Sequence, residues 1–335
     1  MAKKWAALCF TLLLFLPITA FAQDELYLGG DSIGIEAQYD GVMISGTYAI
    51  QVDGTMYDPK DHDIRIGDII QAVNGVPIHS MQELYTQLSS YQESRNQVTL
   101  TIKRSDQQLN VPLLTLFHPK DKTFQSGLYI KDKISGVGTM TFYDPNHHSF
   151  GALGHEIMDS DMKQIADIHQ GTIYPAEVTS ITRAQAHVAG EKHAIIDYER
   201  PLAAIHSNTV IGIYGTYTHI NQANPIKMPW ATQSEMHTGK AYIYTVLGGS
   251  EIEAYEIEIT KLHHQSSADV KGIEFIVTDP NLIAQSNGVV QGMSGSPIVQ
   301  DGKIIGAITH VVTSDPINGY GVYIEWMLAE ANKNN

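Results

Sequence analysis

From about residue 127 onward the chain is written in short apolar stretches broken by glycine, asparagine and aspartate. Examples are "GLYIKDKISGVGTMTFYD", "TVIGIYGTY", "KAYIYTVLG", "EIEAYEIEITKL", "GIEFIVTD" and "KIIGAITHV". Alternation of this kind marks strands, and helical periodicity is scarce until "YIEWMLAEANK", which reads as a closing helix. A strand hides only one face, so many short strands must bury that face in a sandwich or a closed barrel of about 200 residues. The expected fold class is therefore mainly β, with no internal repeat or low-complexity tract.

Composition narrows the setting. The 335 residues are 43% hydrophobic and 17% charged, which fits a globular chain. A net charge of −15, with nothing that resembles a basic stripe, argues against a nucleic-acid partner and against adsorption to an anionic membrane. Lys3 and Lys4 precede an apolar run from Trp5 to Ala22 that ends in "AFA" (Ala20 to Ala22). Residues 1–22 thus read as an export signal cut after Ala22, or as an uncleaved membrane anchor. Either places the body outside the cytoplasm. The single Cys9 lies within that segment, so the body has no disulfide, cysteine nucleophile or cysteine-rich metal site.

Residues 29–117 form a first unit. "IRIGDIIQAVNGVPI" (Ile64 to Ile78) places an Asn-Gly turn between two β-rich pieces. "SMQELYTQLSSY" reads as a helix, with Ser80 as N-cap and Glu83 completing a capping box. The strand "NQVTLTIKR" follows. This order resembles a PDZ domain, through Ile66-Gly67-Asp68-Ile69-Ile70 and Val73-Asn74-Gly75, with Ser32-Ile33-Gly34-Ile35 in the place of the carboxylate-binding loop. The resemblance implies a peptide ligand added as a strand at a sheet edge, or else a spacer whose groove is unused. "HPKDKTF" begins a linker over 118–126, and 127–335 is the second domain.

In "QGMSGSP", Ser294 is boxed by Gly292 and Gly295. A serine hydroxyl is a weak nucleophile and needs a base, an acid to orient the base, and donors for the oxyanion. The turn resembles the Gly-x-Ser-Gly-Gly-Pro of chymotrypsin-like serine proteases, with Ser296 in place of the second glycine. By itself it is equally a structural turn. Met293 stands where digestive proteases carry an aspartate that pairs with a new N-terminus, so any activation here uses another device. Among 15 histidines, His155 of "SFGALGHEIMDSD" suits a strand end, and His310 is its competitor as base. The pairs His147-His148 and His263-His264 point to opposite strand faces, and "HEIMD" lacks the second histidine of zinc proteases, so no metal site is expected.

Taken in order, "LGGDSIGI", "IRIGDIIQAVNG", "FGALGHEI", "PAEVTSI…AGEKHAII", "AYIYTVLGGSEIEAYEIEI", "VQGMSGSPIVQDGKIIGAITHV" and "DPINGYGVYIEWML" strongly resemble the stage IV sporulation protein B (SpoIVB) peptidase family. The resemblance implies a PDZ domain followed by a chymotrypsin-like double β-barrel, and a serine endopeptidase without cofactor or metal. It implies a protein substrate in a membrane-bound regulatory complex between two membranes, self-cleavage, and late sigma-factor activation during sporulation. Carried over by motif, Ser294 is the nucleophile, His155 the base and Asp279 of "FIVTDP" the acid, with Asp197 as the substitute. The N–H groups of Gly292 and Ser294 would form the oxyanion hole. Self-cleavage is expected around Gln23 to Gly30. The alternative is an exported PDZ scaffold with an inactive protease-like domain.

Overall fold

The computed structural model describes residues 25–333; residues 1–22, expected to be an export signal or anchor, and Cys9 lie outside them. Six strands close a first barrel: β1 (Ser32–Thr47), β2 (Leu128–Asp144), β3 (Ser149–Ala152), β4 (Gln170–Thr182), β5 (Ala203–Thr209) and β6 (Gly212–Tyr217). Around the ring the order is β1-β2-β3-β6-β5-β4 and back to β1, every pair antiparallel. A second closed barrel uses β7 (Gly239–Thr245), β8 (Glu253–Leu262), β9 (Ile273–Val277), β10 (Pro297–Gln300), β11 (Lys303–Val311) and β12 (Asn318–Tyr323). Its ring, β7-β8-β9-β12-β11-β10, repeats the order of the first. This is the double β-barrel of chymotrypsin-like serine peptidases, as the sequence led us to expect.

Alternation fills the barrels. In β8 the inward residues Tyr255, Ile257 and Ile259 are buried and the glutamates between them are not. Within each ring, closure pairs every strand on both sides. The C-terminal helix α3 (Ile324–Ala331) buries Ile324, Met327, Leu328 and Ala331 against Leu26, Leu28 and Phe142 on one side and Val299 and Ile304 on the other. It fastens the two barrels together. The strand Glu25–Leu28 lies between β2 and the strand Lys227–Pro229, with Leu26 and Leu28 buried. Residues 25–28, within the segment where self-cleavage is expected, are thus hydrogen-bonded on both edges.

The PDZ unit is placed differently from the expectation. Ser32, Ile33, Gly34 and Ile35 are not a carboxylate-binding loop. They are the wall of the first barrel, paired with Val137, Gly138 and Thr139 of β2 on one edge and with Ile173, Tyr174 and Pro175 of β4 on the other. With both edges taken, no peptide can add there. Strand β1 runs on past Gly41 (φ +133°), and its far half pairs with Ile69–Val73 of the PDZ sheet. Strand β2 returns the same way: Leu128–Lys131 pairs with Met43–Thr47, and Lys133 pairs with Gln38. The PDZ module is therefore an insertion between two barrel strands, and the peptidase body starts before it. Residues 118–126 are not a linker, because His118 and Thr123 pair across a hairpin inside the PDZ sheet.

Local signals inside the module hold. Asn74 and Gly75 take the left-handed conformations that a tight hairpin requires (φ 48° and 80°). Helix α1 (Met81–Ser89) starts where the Ser80 hydroxyl accepts from the Glu83 amide at 3.2 Å. Glu83 itself accepts from the His79 amide rather than from Ser80.

Candidate active site

The segment Gly288–Ser296 crosses the seam between the barrels. It follows helix α2 (Pro280–Ser286) and leads into β10. The first barrel grips it through β2. The Thr139 amide donates to the Ser294 carbonyl at 3.0 Å, and the Thr139 and Thr141 hydroxyls donate to the carbonyls of Gly292 (2.7 Å) and Gly295 (2.8 Å). The amides of Met293, Gly295 and Ser296 are all spent on internal carbonyls. Those of Gly292 and Ser294 make no hydrogen bond among the described residues, which leaves two N–H groups free for a bound oxygen.

Ser294 and His155 line one cleft of about 310 Å³, together with Ile35, Ile134, Val137, Leu153 and Ile157. The Ser294 hydroxyl donates to the Thr309 carbonyl at 3.1 Å. His155 sits just beyond β3, and its Nδ1 lies 2.7 Å from the Glu156 carbonyl. A carbonyl can only accept, so Nδ1 carries the proton and Nε2 is left as an acceptor. The base-competent tautomer is thus fixed by the backbone. Asn208 braces the following turn, accepting from the Ile157 amide and donating to the carbonyls of Ile157 and Ala166. His310 lies against His155, ring centroids 5.3 Å apart, and burial followed by the neighbouring imidazole lowers its pKa below the usual histidine value. The competitor base is thus at the site as a packing partner.

Neither expected acid reaches His155. The Asp279 carboxylate caps α2, accepting from the amides of Asn281 (2.8 Å), Leu282 (3.1 Å) and Glu256 (3.3 Å). Pro280 at the first helical position makes Asp-Pro a helix-start signal. Asp197 is turned to solvent, where it holds Arg200 at 2.6 Å and takes its lowered pKa from that guanidinium. Asp279 is corrected from orienting acid to helix cap. Asp279→Asn keeps an acceptor at the cap and is expected to retain activity, whereas Asp279→Ala costs about 1 kcal/mol of stability. Urea unfolding and peptide hydrolysis measure the two; an Asn variant as inactive as a His155 variant would restore the acid role.

Residues 122–328 match the family described as SpoIVB peptidase S55, which is more than half of the chain. The chain belongs to that family. Residues 33–115 match the PDZ domain, so this S55 peptidase carries both units in the expected order. It is a serine peptidase. Among solved structures it is similar to the Rv3671c protease in its inactive form, with 15% identity over 58% of this chain and 84% of that one, at a TM-score of 0.35. The active form of the same protease, from M. tuberculosis, gives 15% identity, 59% and 75% coverage, and a TM-score of 0.35. No curated protein matches the chain.

The S55 peptidase also has site residues that motif reading passed over. Lys192 is 2% exposed, beneath Gly292. In "EKHAII" the flanking Glu191 and His193 are exposed, so strand parity alone turns Lys192 inward. That was the available signal. The hairpin strands Met158–Asp159 and Gln164–Ile165, just after His155, touch the PDZ module: Lys131 pairs with Asp159 and Asp161, and Lys103 pairs with Asp167.

Proposed function

We propose that this chain is an extracytoplasmic serine endopeptidase that cleaves a regulatory protein of a membrane complex, and its own N-terminal segment, during bacterial sporulation. The observation that carries the catalytic assignment is the meeting of Ser294 and His155 in one cleft beside the two unspent amides of Gly292 and Ser294. In this reading the Ser294 hydroxyl turns from the Thr309 carbonyl to His155 Nε2. His155 takes its proton during attack on a peptide carbonyl and returns it to the leaving amine. The amides of Gly292 and Ser294 receive the oxyanion, and the Glu156 carbonyl steadies the imidazolium that forms.

The cleft also supports a substrate class. Its walls are Ile35, Ile134, Val137, Leu153 and Ile157, so a residue flanking the scissile bond is apolar. Export is supported by residues 1–22, and a cut after Ala22 leaves two residues before the strand Glu25–Leu28. A cut made by the enzyme itself falls before Glu25. The PDZ module is proposed to take a peptide at some edge other than Ser32 to Ile35.

A fluorophosphonate probe tests the chemistry on residues 23–335. Peptide mapping is expected to find the label on Ser294; a label elsewhere, or none on folded protein, removes the assignment. For the biological role, a spore-former producing only the Ser294→Ala form is expected to stall before late sigma-factor activation. Normal sporulation by that strain would separate this peptidase from the pathway.

A further inference from the structure

Lys192 is a basic side chain in a place that offers it no counter-charge. Its Nζ donates to the Thr245 hydroxyl at 2.8 Å and reaches Ser32 Oγ at 3.5 Å. Among the described residues no carboxylate lies within ion-pair reach of it. The charged groups nearby are turned elsewhere. Glu191 and His193 occupy the outer face of the same strand. Asp31, next to Ser32, is bonded to Tyr143 and Gln222. Burying an amine without a counter-charge costs stability and favours its neutral form.

What it touches is the nucleophile turn. Its methylene stem lies against Gly292 (φ +92°), so close that a side chain there would run into it. Its backbone amide donates to the Gln291 carbonyl at 2.9 Å. Thr245, which accepts from the lysine, also accepts from the buried Ser296 hydroxyl at 3.0 Å. Lys192, Thr245 and Ser296 therefore underlie both ends of the turn that carries Ser294 and its two unspent amides. We propose that Lys192 is a positioning residue, holding the Gly292–Ser296 turn in its oxyanion-binding shape from beneath through Thr245. It is not a base, since Ser294 bonds to Thr309 and Ser296 is wholly buried.

Burial lowers the amine's pKa to about 7. The folded protein therefore holds it uncharged above neutrality. As pH falls through that value the amine takes a proton, and an unpaired charge appears under the turn. Protonation of Lys192 then adds its own loss of activity on the acid side.

The proposal rests on Ser294 as nucleophile, and the experiment keeps the two apart. The rate of fluorophosphonate labelling and the kcat for an apolar peptide are measured from pH 5.5 to 9 for residues 23–335 and for the Lys192→Met and Thr245→Val forms. Both variants are expected to keep KM and lose about tenfold in kcat and labelling rate, the cost of one broken buried hydrogen bond. Lys192→Met makes the acid limb shallower by one proton than that of the parent protein, whereas Thr245→Val leaves it as steep as the parent's. If Lys192→Met does not fold, Thr245→Val and the slope of the parent protein's acid limb decide the matter. Label at Ser294 with the same rate and limb in all three proteins overturns the positioning role. Absence of label from Ser294 in the parent overturns the nucleophile instead.

Discussion

Ser294→Ala is expected to lower peptide hydrolysis by about 10⁵–10⁶ and to remove fluorophosphonate labelling, while leaving the fold intact. The size follows from what the variant keeps. The free amides of Gly292 and Ser294, the cleft and His155 all remain, so a residual ~10³-fold advantage over water persists. The stability cost is small, because the hydroxyl makes one hydrogen bond, to the Thr309 carbonyl, worth about 1 kcal/mol. Hydrolysis of an apolar peptide and a urea melt read the two effects separately. A loss of activity accompanied by a collapsed melting curve would mean that the serine matters to the turn rather than to the chemistry.

Gly295→Ala is expected to cost about 3–5 kcal/mol and to silence the enzyme without touching any reacting group. Gly295 has φ +92°, and a methyl there would be driven into the Thr139 carbonyl and the backbone of Leu153. Both neighbours belong to the first barrel, and both are main chain, so neither can swing aside. The overlap pushes the nucleophile turn off β2 and away from His155, two residues beyond Leu153. Gly302→Ala is the control: its φ is +74° but nothing lies within contact of the new methyl, so only the left-handed backbone is penalised, by about 1–2 kcal/mol. Thermal or urea unfolding ranks the two, and equal midpoints would sink the steric account.

The sequence was legible wherever a few neighbouring residues decide the outcome. Asn74-Gly75 can make only a tight hairpin, and the alternation in β8 can bury only one face. The glycines around Ser294 announced a turn, though not its partners. Ser32 to Ile35 shows the limit. Their alternation fits a PDZ strand and a barrel wall equally well, and the choice is made by Thr139 and Tyr174, far along the chain. Asp279 is legible locally, since Asp-Pro ahead of "NLIAQS" is a helix start, whereas its place in the His…Asp…Ser order says nothing of which group its carboxylate meets. Lys192 left only its parity as a trace. That Nδ1 of His155 finds its acceptor in the backbone could not be read at all, since every residue has a carbonyl.

One feature of the chain's path bears on how such a peptidase could arise and be rebuilt. Gln38 and Lys133 face each other across β1 and β2. Facing residues in an antiparallel pair have Cα atoms about 5 Å apart, the spacing that a two-residue turn spans. A gene encoding the bare double barrel needs only a hairpin at that point, and a gene encoding a PDZ module with adjoining ends can be spliced into it without disturbing any other strand. The two units are thus joined like a branch grafted into a cut stem rather than like cars coupled in a train. No swivel separates them, and the direction in which the module faces is set by the twist of two shared strands.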